Sequence, residues 1–154
     1  MAVTVGAPAP PFTLPGIHDG VRRDHSLVEL RGRPVVLVFY PGDNTPVCTR
    51  QLNAYTADLD QFESLDAQVL AISPQDLDSH EEFAAAQGGF GFPLLADIDK
   101  AVAEAYGVLG PLGFYRRSIV VVGSDGTVAH VHRGHAASTF RPTGELAAAI
   151  RHAG

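Results

Sequence analysis

Two hydrophobic rhythms run along the chain. Three segments are unbroken apolar runs rich in β-branched residues: Val35-Val-Leu-Val-Phe-Tyr40, Val69-Leu-Ala-Ile72 and, after one serine, Ser118-Ile-Val-Val-Val122. Without alternating polar positions such strands must bury both faces, as strands do inside a sheet covered by helices on each side. A fourth segment, Thr127 to Arg133, alternates in polarity. It follows the turn signal Ser124-Asp-Gly126, which predicts a hairpin with the third run. The other rhythm is helical. Cys48, Leu52, Tyr55, Leu59, Phe62 and Leu65 recur at spacings of three and four, one apolar stripe of a helix. Thr45 and Pro46 supply its start, a capping hydroxyl followed by a proline in the first turn.

Further helices are expected from Pro74 to Gln87, ended by Gly88-Gly89, and from an Asp97 or Asp99 cap to Tyr106, stopped by Gly107. A closing helix runs from Glu145 to His152. The Pro-rich start, Ala7 to Pro11, reads as an extended entry segment. Phe12 to Leu14 and Val21 to Arg23 form a candidate hairpin around Gly16 to Gly20. Strands alternate with helices first, and two strands are then joined by a hairpin. This order predicts an α/β domain of thioredoxin-like type, a mixed central sheet flanked by helices on both faces. A flavodoxin-like sheet is the alternative, though the late hairpin fits it poorly. The length of 154 residues suits one domain, 1–154, with one sizeable core.

Composition narrows the function. Apolar residues make up 45% and charged residues 18% of the chain, and the net charge is −6 with neutral histidines. That balance argues against nucleic acid and against anionic membranes, since both need clustered positive charge. No apolar run reaches membrane-spanning length, and the first residues lack a secretory pattern, so a cytoplasmic location is expected. There is one cysteine, which excludes intramolecular disulfides and zinc sites built on several thiolates. No cofactor or metal is expected.

Cys48 lies in the first turn of its helix, where unpaired backbone N–H groups and the positive end of the helix dipole favour a thiolate. It is also in register with the apolar stripe, so the residues alone leave a nucleophile and a core filler both open. The spacing Pro41-Gly-Asp-Asn-Thr45-Pro-Val-Cys48-Thr49 resembles the active-site signature of peroxiredoxins, Pro-x-x-x-Thr/Ser-x-x-Cys. Val69-Leu-Ala-Ile-Ser73, Phe92-Pro-Leu-Leu-Ala-Asp97 and Arg117-Ser-Ile-Val-Val-Val122 are similar to later segments of that family, in the same order. The subgroup that the chain most resembles is the Q-type, or bacterioferritin-comigratory, peroxiredoxins. The resemblance implies a thioredoxin-like fold with an N-terminal extension, and a thiol peroxidase in which Cys48 attacks a hydrogen peroxide or organic hydroperoxide substrate. It also implies that the Thr45 hydroxyl donates to the peroxide and that Arg117 supplies fixed charge and planar donors. Pro41 then shields the thiolate, and backbone N–H groups near Val47 and Cys48 complete the donor set. Arg116 competes for the arginine role, but register with Ser118-Ile-Val favours Arg117.

Two departures from that pattern matter. The position of a Q-type resolving cysteine, five residues after Cys48, is Asn53. The oxidised sulfur must therefore meet a thiol from another molecule: thioredoxin, glutaredoxin or a low-molecular-weight thiol. The glutamate usual three residues after the cysteine is Gln51, which keeps an acceptor and loses a charge. Arg117 is then expected to be held less firmly and to leave a stronger positive field. A redox relay to a partner protein and a holdase-like module are the alternative functions, and a monomer and a homodimer both fit. His130, His132 and His135 form a His-x-His-x-x-His pattern, read as exposed hairpin residues rather than metal ligands. The glycines from Gly107 to Gly113 lack a phosphate-loop pattern and read as a flexible loop before Arg117.

Overall fold

The three continuous apolar runs lie side by side at the centre of one mixed sheet. In the computed structural model, which describes residues 3–134 and 140–153, they are β3 (Val35–Phe39), β4 (Gln68–Ser73) and β6 (Ser118–Val122). Outside them lie β1 (Thr13–His18), β2 (Val21–Ser26), β5 (Leu94–Ala96) and β7 (Val128–Arg133). The order across the sheet is β2-β1-β5-β4-β3-β6-β7. β3, β4 and β5 are parallel, whereas β6 and β7 on one side and β1 and β2 on the other run antiparallel to their neighbours. This mixed topology is the thioredoxin-like arrangement, and it excludes the all-parallel flavodoxin-like alternative.

Unbroken apolarity in the central strands reflects two cores, one on each face. Val36, Val38, Val69, Ala71, Ile119 and Val121 point to one side, where they meet α1 (Pro46–Ala57), α2 (Leu59–Glu63) and α5 (Thr143–Ala153). Val35, Leu37, Phe39, Leu70, Ile72, Val120 and Val122 point to the other, against α4 (Ala101–Tyr106). α3 (Leu77–Ala86) packs Phe83 into the first core. Burial of each Val or Leu contributes about 1.5–3 kcal/mol, so every residue of β3 stabilises one layer or the other. Among the described residues, no helix is long and apolar enough to cross a membrane.

Several elements differ from the expectations. The stripe from Cys48 to Leu65 faces the core as predicted, but the helix is interrupted at Asp58 (φ −99°, ψ 18°). A periodic stripe can continue across such a break because Leu59, Phe62 and Leu65 still reach the same core. β5 escaped the pattern because three residues carry no period. The first hairpin is tighter than predicted. Its turn is Asp19-Gly20, both with positive φ, the geometry of a two-residue hairpin, so β1 extends through Pro15 and Gly16. A Cβ at Gly16 would lie 2.4 Å from the Leu95 side chain, which would have to shift to admit it.

Candidate active site

α1 begins where the chain leaves β3 through Tyr40 and the loop Pro41 to Thr45. Thr45 is the N-cap residue and Pro46 the first residue of the helix, as predicted, but the Thr45 hydroxyl does not cap. It donates instead to the Gly42 carbonyl at 3.1 Å, closing the loop on itself, while the Thr45 carbonyl receives the Thr49 N–H and hydroxyl. Cys48, the third residue of α1, is fully buried, 0% exposed. Pro41 is exposed at the start of the loop.

Arg117 reaches Cys48 from the residue just before β6. Its Nη2 donates to Cys48 Sγ at 3.2 Å and its Nη1 to Gln51 Oε1 at 2.6 Å. A guanidinium only donates, so both sulfur and amide oxygen act as acceptors. Glutamine therefore retains the acceptor function of the glutamate usual in the subgroup. Arg116 does not compete. Its backbone N–H is taken by the Val108 carbonyl and its side chain lies along Gly110. Of the two arginines, Arg117 is the one whose guanidinium meets Cys48 Sγ.

Arg117 is placed by its backbone. Gly134, the residue after β7, donates its N–H to the Arg117 carbonyl at 2.9 Å. A Cβ on Gly134 would sit 2.5 Å from that oxygen, so no other residue fits without moving Arg117. The segment from Gly107 to Gly113, expected to be a flexible loop, carries several hydrogen bonds. Gly110 N–H pairs with the Phe114 carbonyl, Leu109 bridges Tyr115, and Lys100 Nζ donates to the Gly113 carbonyl. Tyr115 donates to the buried Asp97 carboxylate at 2.5 Å. The N-cap residue of α4 is Lys100 rather than Asp97 or Asp99, but both carboxylates accept first-turn N–H groups, Asp97 from Val102 and Ala103 and Asp99 from Ala101.

Sequence reasoning missed a polar cluster behind the loop. The buried Asp43 carboxylate receives the Tyr40 hydroxyl, the Ser79 hydroxyl and His80 Nδ1, each at 2.7 Å. His80 Nε2 faces the Leu95 carbonyl at 3.0 Å. The Asp43 N–H donates to Gln75 Oε1. Burial and the neighbouring carboxylate push the Tyr40 phenol well above its ordinary range, keeping it a donor. The loop carrying Thr45 is thus tied to α3 and β5. An aspartate in a turn and a histidine within a helix carry no periodic signal, so this pairing was invisible before folding. The predicted histidine pattern fares differently. His130 and His132 are half-buried rather than exposed, and His135 lies outside the described residues. Among the described residues, no group of three or more His, Cys, Asp or Glu is arranged to hold a metal.

A sheet of this topology that presents a helix-start cysteine to a buried guanidinium places the chain among the thioredoxin-fold thiol oxidoreductases. Within that class, the AhpC/TSA family profile matches residues 5–131, and the chain belongs to that family. It is 36% identical over 132 residues to peroxiredoxin Q, chloroplastic, of Oryza sativa subsp. japonica, spanning 84% of this chain and 59% of that one. It is 33% identical over 134 residues to peroxiredoxin-2 of Rattus norvegicus, spanning 82% and 68%. The reduced 2-Cys peroxiredoxin of Plasmodium vivax superposes with a TM-score of 0.88 at 28% identity, covering 96% of this chain and 94% of the other. The protein is a thiol-dependent peroxidase, and its single cysteine fits a one-cysteine mechanism.

Proposed function

We propose that Cys48 is the nucleophile of this peroxidase and that Arg117, Thr45 and Pro41 form its catalytic setting. The Cys48 thiolate attacks one oxygen of a hydroperoxide in line with the O–O bond. The S–O bond forms as the O–O bond breaks, leaving a Cys48 sulfenic acid and an alkoxide or hydroxide, which takes a proton from solvent to become alcohol or water. Negative charge spreads over both oxygens in the transition state, and preorganised donors there contribute most to such catalysis. The observation that carries this reading is the Arg117 Nη2 to Cys48 Sγ contact of 3.2 Å. It puts a fixed cation and a planar donor beside the sulfur, ready to hold the oxygens that approach it. Amides in the first turn of α1 add further donors. The Thr45 hydroxyl, now engaged with Gly42, turns to the peroxide when it binds, and Pro41 at the loop's start limits water access.

No second cysteine is present, so the cycle closes with an external thiol. That thiol attacks the sulfenic acid and releases water, and a second thiol reduces the mixed disulfide to free Cys48. Thioredoxin, glutaredoxin or a small thiol fills this role, which suits a reducing compartment such as the cytoplasm. The site is built within one chain, 1–154, whether that chain is a monomer or a homodimer. Stopped-flow oxidation of reduced protein by hydrogen peroxide and by an alkyl hydroperoxide tests the reading. A rate orders of magnitude above that of a free thiol, lost in Arg117→Ala, is expected; a free-thiol rate in the native protein would sink it. A relay to a partner protein shares the first step, and the lack of a resolving cysteine favours it as second reading. It predicts one dominant mixed disulfide and poor turnover with small thiols.

A further inference from the structure

We propose that Tyr55 is a positioning residue of the site: its hydroxyl fixes which end of the Gln51 amide faces Arg117, and so holds the guanidinium on Cys48. The inference rests on the catalytic reading of Cys48 and Arg117. Cys48, Gln51 and Tyr55 share the buried face of α1, and all three are 0% exposed. The Tyr55 hydroxyl donates its one proton to the Arg141 carbonyl at 2.6 Å. Toward Gln51 it can offer only a lone pair, and Gln51 Nε2 lies 3.4 Å away as donor. The amide oxygen is thereby left facing the other way, where Arg117 Nη1 donates to it at 2.6 Å. A reversed amide would press an NH2 group against a guanidinium that has no acceptor of its own.

Both ends of the chain, from the Arg141 carbonyl through Tyr55, Gln51 and Arg117 to Cys48, therefore demand the same direction of bonding. The Tyr55 ring cannot swing away. Phe62 and Phe140 pack edge-on against it, with centroids 6.1 and 6.0 Å distant. The chain also accounts for glutamine at position 51. A carboxylate there would confront the Tyr55 proton with two acceptors, and one of them would lose its donor. Glutamine supplies both a donor for Tyr55 and an acceptor for Arg117.

The test compares Tyr55→Phe, Gln51→Met and the double variant with the native protein, all fully reduced. Rates with hydrogen peroxide and with iodoacetamide are each normalised to the thiolate fraction, read from the pH profile of alkylation. Loss of the Tyr55 hydroxyl is expected to slow the peroxide reaction about five- to tenfold, the effect of one buried hydrogen bond. Alkylation, which needs no aligned oxygens, should stay within about twofold. The double variant should be no slower than the slower single one by more than about twofold, because both cut one chain. Equal slowing with both reagents, or additive losses, would overturn the proposal. If Tyr55→Phe does not fold, Gln51→Glu decides: a slower peroxide reaction is expected, and an unchanged or faster one overturns the idea. An unaffected Tyr55→Phe beside a crippled Arg117→Ala refutes only the positioning role. An unaffected Arg117→Ala refutes the catalytic reading itself.

Discussion

At the scale of the residue, the site depends on what each donor can do in two directions at once. Arg117 serves Cys48 with one terminal nitrogen and Gln51 with the other. A planar fork spans both acceptors without bending, whereas a lysine ammonium on a flexible stem acts as a point charge. Arg117→Lys should therefore keep the charge and lose the geometry. The expected result is a peroxide rate at least about tenfold lower, consistent with loss of a charge-assisted hydrogen bond, with a melting temperature close to native. Stopped-flow rates and a thermal melt on one preparation check both parts. The likeness of Arg117-Ser-Ile-Val-Val-Val122 to a later segment of the family pointed to this arginine, and register with Ser118-Ile-Val favoured it over Arg116. The Tyr55 hydroxyl was not legible in the same way. Its ring belongs to the apolar stripe, and the partner of its hydroxyl is a carbonyl 86 positions away.

At the scale of the element, strands and helices set where those residues stand. The glycine that follows β7 fixes the backbone of Arg117. Gly134→Ala brings a methyl group to 2.5 Å from the Arg117 carbonyl, far inside van der Waals contact, and the strand end must move. Peroxide reactivity is expected to fall at least about tenfold, a loss of the size that small misplacements of catalytic groups produce. Far-UV circular dichroism should be unchanged, because the shift is confined to the end of β6. A native rate in Gly134→Ala would show that Arg117 tolerates displacement. Nothing in the sequence singled out Gly134 among sixteen glycines, since its neighbour across the sheet is known only once β6 and β7 pair. The break at Asp58 and the three-residue β5 were hidden for a related reason: a short or interrupted element does not complete a period.

For the whole molecule, stability carries a pH dependence that the active site does not explain. His25 of β2 is buried, 6% exposed, beside Gly16 and Leu95. Burial chiefly, with help from Arg23, lowers its imidazole below the ordinary range. The unfolded chain then takes up this proton at a higher pH than the folded one. Stability should decline as pH falls through about 6.5, the ordinary histidine value, and level off once the folded form is protonated too. Urea midpoints at pH 7.5 and 5.5 should show the decline, and His25→Leu should flatten this part of it. An equal decline in His25→Leu would assign the effect to other groups.

What the sequence determined by itself was whatever repeats or clusters along the chain. Continuous apolar runs announced strands buried on two faces, a 3.6-residue stripe announced the face of α1, and nine consecutive residues from Pro41 to Thr49 carried the family's signature. These signals are local, because strand burial, helix amphipathicity and a helix-start cysteine each depend on neighbours within a few positions. The tertiary structure alone decided the pairings between distant elements. It set Gly134 against Arg117, joined Asp43 to His80, moved the Thr45 hydroxyl from its cap to the Gly42 carbonyl, and gave Tyr55 a backbone acceptor beyond β7. Each is a contact between polar groups brought together by packing of the apolar faces. A polar residue leaves no periodic trace of its partner, so the chain specifies such contacts only through the fold that its apolar pattern builds.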